Sequence, residues 1–174
     1  QHKGAIIAKC RHGVISVFQL QNKGMCCVHL LKYCKMDRIE VKRVDDAYAF
    51  EGLDSNGHAI RMDAAAAIGG HNSGVRPMQT LLMGLGGCGG VDIVSILKKQ
   101  KQELSGFRMV IEGEREKDKE PALWKEVHIH FYLSGQVDPD KAEKAVALSL
   151  NKYCSVAATL RAGGCTISWT ITVA

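Results

Sequence analysis

The chain has 174 residues, 46% of them apolar, which suits one domain with a sizeable core and excludes a disordered or fibrous protein. Its net charge of +5 does not make it a nucleic-acid binder. All six basic residues of 1–35 stand without an acid, which leaves 17 basic residues against 18 acids from Met36 onward, so the body has no basic field for a phosphate backbone.

Residues 1–35 differ from the rest in cysteine as well as in charge. They hold Cys10, Cys26, Cys27 and Cys34, and only Cys88, Cys154 and Cys165 follow. With His12 and His29 these are metal-ligand types, but no C-x₂-C or C-x₄-C spacing organises them. A single Arg11 and a single Ser16 argue against a targeting segment. The segment is therefore read as an extension of doubtful structural role, with Met36 as the natural start of a 36–174 domain. An odd total of seven cysteines without a dense framework fits a reducing, cytoplasmic compartment. The longest apolar runs look too short for a bilayer span, so no membrane is expected.

From Met36 the pattern predicts three short strands, Arg38–Val44, Ala47–Glu51 and His58–Met62, with a turn at Asp54–Gly57. Ala64–Gly74 reads as a loop. Pro77 opens a helix, a position proline favours, and no charge appears until Asp92, so its first half should be buried on all sides. Asp92–Glu103 continues it as an amphipathic stretch. Phe107–Glu114 and Glu126–Ser134 are strands; the second puts Val127, Ile129, Phe131 and Leu133 on one face and His128, His130 and Tyr132 on the other. Asp138-Pro139 caps a helix to about Asn151, a second helix runs from near Cys154 to Gly163-Gly164, and Cys165–Val173 is a last strand. This order is α+β, and the long uncharged helix needs a partner subunit to cover it.

Gly84-Leu85-Gly86-Gly87-Cys88-Gly89 is a literal G-x-G-x-x-G, but Pro77–Thr80 is poor strand material and the chain supplies too few parallel units for a dinucleotide fold, so no cofactor is expected. Five glycines between Gly84 and Gly90 suit close backbone approach, or access of a small molecule to Cys88. On its own Cys88 is either an inert buried thiol or a nucleophile. Cys165 faces the core and reads as inert. His128 and His130 read as an exposed strand face and not as metal ligands. A dry thiol in one helix and a thiol at the start of another suit a peroxide-reducing pair, with Cys154 the one made acidic by the helix dipole.

The stretches Arg76–Cys88, Val91–Lys99 and Lys152–Ala157 resemble the OsmC/Ohr superfamily (osmotically inducible protein C and organic hydroperoxide resistance protein), and its YhfA-like subgroup in particular. The resemblance implies an intertwined homodimer, with antiparallel sheets wrapped around long central helices. It also implies that Cys88 attacks an organic hydroperoxide, that Cys154 resolves the product, and that an external dithiol restores both. One position departs from the hydroperoxidase pattern: Met78 stands where those members carry a Glu that orients an Arg. The leading expectation is therefore thiol-dependent reduction of organic hydroperoxides in stress defence. The alternative is a non-catalytic dimer that binds a small apolar ligand between its central helices.

Overall fold

A computed structural model describes residues 36–174. The expectations for residues 1–35 lie outside the described residues. The order is β1 (Glu40–Arg43), β2 (Phe50–Leu53), β3 (Ala59–Met62), a 3₁₀ turn (Ala66–Ile68), α1 (Pro77–Lys99), β4 (Glu103–Arg115), β5 (Trp124–Gln136), α2 (Pro139–Leu148), a π turn (Ser149–Tyr153), α3 (Ser155–Ala162) and β6 (Thr166–Val173). The class is α+β, as the pattern of elements implies.

Strands β1, β2 and β3 form an antiparallel meander. Aspartates organise its turns. Asp45 accepts from the amides of Ala47 and Ala49, and Asp54 from those of Asn56 and His58, with Gly57 at φ +87° where a left-handed backbone favours glycine. The loop after β3 is built on a buried carboxylate. Asp63, 1% exposed, accepts from the amides of Ala64, His71 and Ser73 and from the Ser73 hydroxyl, at 2.7–3.0 Å.

Helix α1 begins at Pro77, and the Gln79 side chain accepts from the Arg76 amide at 2.9 Å. It ends at Lys99, four residues before the expected limit, because Lys101 takes φ +56° and turns the chain into β4. The pseudo-fingerprint Gly84–Gly89 lies inside this helix and not at a strand-to-helix turn. The expectation about span length is corrected: α1 has 23 residues and holds an 18-residue stretch of mean hydropathy 1.7, long and apolar enough to cross a bilayer by length and composition. Here it is the spine of the domain. Leu85, Gly86, Ile93 and Leu97 are buried against the second sheet. A Cβ at Gly86 would stand 2.9 Å from Ile111 Cδ1, the tip of a flexible side chain of the second sheet, so helix and sheet pack closely at this point.

The second sheet has the order β4-β5-β6. Strands β4 and β5 pair antiparallel, but β6 lies parallel to β5. The antiparallel expectation fails at that pair, because α2, the π turn and α3 form a crossover that returns the chain in the same direction. Val127, Ile129, Phe131 and Leu133 of β5 point inward onto α1 and α2, each 1% exposed. Burial of such side chains contributes about 1.5–3 kcal/mol apiece. Among the described residues the β1–β3 sheet has no such cover: Val41 is 56% exposed and Phe50 39%.

Candidate active site

The crossover brings two of the sequence-predicted thiols together. Cys88 lies half-buried in the middle of α1. Four residues earlier, on the same side of the helix, a Cβ at Gly84 would lie 4.0 Å from the methyls of Val156 in α3. Cys88 therefore faces the first turn of α3. The π turn sets the angle of that approach: Cys154 N donates to Ser149 O, five residues back, at 2.9 Å, and then breaks into extended backbone as the N-cap of α3. Ser149, fully buried, ties this turn to α1 through Asp92 Oδ2 at 3.2 Å.

A helix start leaves its first amides without intrahelical partners. In α3 a sulfur takes one of them: Ala157 N donates to Cys154 Sγ at 3.4 Å. The amides of Val156 and Ser155 and the Ser155 hydroxyl act on the Cys88 thiol and lower it. Each of the two thiols also shifts the other, Cys154 lowering Cys88 and Cys88 raising Cys154. The first intrahelical bond is then Ala158 N to Cys154 O at 3.1 Å.

These contacts divide the two thiols. Burial, the largest influence on Cys88, pushes its thiol up. The hydrogen bonds from Cys154, Val156 and Ser155 together outweigh it, and Cys88 lies below the ordinary thiol range. Cys154 goes the other way, pushed up to about 11 by burial first and by the Cys88 sulfur second. The expectation that the α3 dipole makes Cys154 the acidic thiol is thus corrected. Cys154 caps the helix and is 2% exposed, whereas the Cys88 thiol is the one lowered at the α3 start and can hold the charge.

The other candidates stay apart. Cys165 is buried, its thiol raised by burial, with Sγ against the Thr166 carbonyl at 3.6 Å. Rings of His128 and His130 are engaged by Ser168, Thr170 and Glu112 on the neighbouring strands. Met78 is ten residues before Cys88 on α1, a rise of about 15 Å within one chain. Its carbonyl accepts from Trp124 Nε1 at 3.2 Å, and its side chain borders an open cavity of about 640 Å³ with Val41, Tyr48 and Phe50. Sequence reasoning missed Ser155. Its only signal was its place directly after a helix-capping cysteine.

Residues 70–170 match the family described as OsmC-like protein. The chain belongs to the OsmC-like family. It is 37% identical over 119 residues to Protein YhfA of Escherichia coli (strain K12), an alignment that spans 66% of this chain and 83% of that one. A crystal structure of a hypothetical protein from Aquifex aeolicus VF5 superposes with a TM-score of 0.67 at 32% identity, over 80% of this chain and 98% of that one. A crystal structure from Legionella pneumophila, described as an organic hydroperoxide resistance protein OsmC, shares the fold: TM-score 0.62 and 19% identity, over 82% of this chain and the whole of that one.

Proposed function

We propose that this protein reduces organic hydroperoxides with Cys88 and Cys154. The observation that carries the reading is the sharing of one helix start by two thiols, one held below and one above the ordinary range. The Cys88 thiolate attacks the outer peroxide oxygen. The O–O bond breaks, the departing alkoxide takes a proton from water, and Cys88 becomes a sulfenic acid. Cys154 then condenses with it: the S–S bond forms and water leaves. An external dithiol returns both sulfurs to thiols by exchange. The name carried by the Legionella relative supports hydroperoxides as the substrate class. We propose a cytoplasmic setting, since the chemistry needs reduced thiols at rest.

The same reading includes a homodimer. The exposed apolar residues Leu81, Met83, Val91 and Val94 along α1, and Val41, Phe50 and Ile60 on the first sheet, support it, because a second copy would remove both from water.

One observation favours a second reading, a binding protein without turnover. Met78 supplies no carboxylate, and it borders an apolar cavity suited to a small lipophilic ligand. Peroxide chemistry separates the two. Substoichiometric tert-butyl hydroperoxide should give a Cys88–Cys154 disulfide by peptide mass mapping. Cys154→Ser should stop at a dimedone-reactive Cys88, and Cys88→Ser should consume no peroxide. Unmodified thiols in a folded protein would leave only the binding reading.

A further inference from the structure

We infer that Ser168 is a second nucleophile of this protein, one that takes acyl groups from small uncharged esters with His128 as its base. The inference goes beyond the peroxide reading and uses neither Cys88 nor Cys154. It stands on the outer face of the second sheet, where five side chains form one hydrogen-bonded chain. Strand register puts His128 beside Ser168, His130 beside Thr170, and Glu112 opposite His128. His128 Nδ1 lies 2.8 Å from Ser168 Oγ, and its Nε2 lies 3.4 Å from Thr170 Oγ1. Thr170 Oγ1 lies 2.9 Å from His130 Nδ1, and His130 Nε2 lies 3.0 Å from Glu112 Oε2. Ser168, His128 and Glu112 line an open cavity of about 360 Å³.

The carboxylate at one end sets the direction of the whole chain. An ionised Glu112 can only accept, so His130 Nε2 carries a hydrogen. In the neutral imidazole Nδ1 then accepts, and Thr170 must donate to it. With its hydrogen committed there, the Thr170 oxygen accepts from His128 Nε2. His128 Nδ1 is left with a lone pair, so the hydrogen between it and Ser168 is the serine's. A hydroxyl donating to an oriented imidazole is a nucleophile with its base. Ser168 Oγ adds to the ester carbonyl carbon as its proton passes to His128 Nδ1. The C–O bond to the leaving group breaks, and the departing alkoxide takes that proton. Water then attacks the acyl-serine, its proton passes through His128 to Ser168, and the acid is released. No proton moves beyond His128. Thr170, His130 and Glu112 are positioning residues: they hold the tautomer and oppose the charge that forms on the imidazole. No lysine or arginine lines the cavity, so the ester it suits is uncharged.

The test uses the full chain and a fluorophosphonate probe, whose fluoride leaves when a serine oxygen adds to phosphorus. Peptide mass mapping should place the adduct on Ser168, and urea-unfolded protein should carry none there. His128→Gln should slow the labelling about a hundredfold, the scale of a lost general base. Thr170→Val and Glu112→Gln, which cut the chain beyond His128, should each slow it about fivefold, the scale of one hydrogen bond. Thr170 and Glu112 are exposed, so both variants should melt with the wild type. Thr172→Val, on the same strand face and outside the chain, should label like the wild type. Nitrogen-15 NMR should show both imidazoles with the hydrogen on Nε2, and Thr170→Val should mix the His128 tautomers, which a merely structural threonine would not do. p-Nitrophenyl acetate should leave its acetyl group on Ser168 by the same mapping. A Ser168 that stays unlabelled in the folded protein overturns the inference, as does labelling that His128→Gln leaves unchanged. Acetyl found on Cys88 alone overturns it too. None of these results touches the peroxide reading, which tert-butyl hydroperoxide tests separately.

Discussion

Cys88 and Cys154 are chemically alike in the unfolded chain and are separated by where each sulfur sits relative to one set of amides. Cys88, on the neighbouring helix, is lowered by those of Val156 and Ser155; Cys154 spends its sulfur on Ala157 and is shut from water. With alkylating agent near neutral pH, Cys88 should label first. Cys154, at about 11, should stay unlabelled until the fold opens. The sign of the pH dependence follows. Cys88 labelling rises as pH climbs through its lowered pKa, and Cys154 contributes thiolate only far above neutrality. In Cys88→Ser, Cys154 loses the sulfur that raises it second but keeps the burial that raises it first, so it should still label slowly. A different residue-scale constraint lies at Gly113, where a Cβ would stand 2.8 Å from Trp124 Cζ3. That ring is stiff and held by its bond to Met78 O, so Gly113→Ala should cost about 1–3 kcal/mol by overpacking, measured by urea titration.

The elements were legible wherever a period or a cap was written in adjacent residues. The alternation Val127–Leu133, the Pro77 start and the Asp138 cap all appear where expected, with Asp138 accepting from the amides of Asp140 and Lys141. The pairing of Cys88 with Cys154 came from the family resemblance and not from spacing, since 65 residues intervene. What remained hidden depends on contacts between elements. The parallel β5–β6 pair follows from a crossover that no local pattern specifies, and the acidity of Cys88 depends on which way the α3 amides point. The loop after β3 looked featureless because its organiser, Asp63, is one carboxylate bonded to residues up to ten positions away. Those amides, that of Ser73 foremost, hold Asp63 at about 2. A lowered carboxyl stabilises the fold above its unfolded pKa and loses that contribution as pH falls through the folded one. The loop should therefore stay closed at pH 5 and open between about 4 and about 2. Asp63→Asn should open it at neutral pH, seen as faster amide exchange in 64–76 with little change in α1.

At the scale of the whole molecule, the described residues leave two apolar surfaces in water, one along α1 and one on the β1–β3 sheet. If a second copy covers them, sedimentation should show no folded monomer at micromolar concentration. Val91 is 72% exposed on α1, and Val91→Glu should yield monomer or unfolded chain while an exposed-strand control such as Thr172→Glu leaves the dimer intact. The meeting of α1 with the first turn of α3 has a mechanical consequence as well. Oxidation would tie the spine helix to the C-terminal layer across a long loop, and such a tether removes freedom from the unfolded chain worth about 4 kcal/mol. The spent protein should then be the sturdier one, with a higher urea midpoint that drops when dithiothreitol is added. Whatever reduces it must reach a bond clamped inside the tougher of the two forms, so regeneration, not attack on the peroxide, should be the slow half of the cycle.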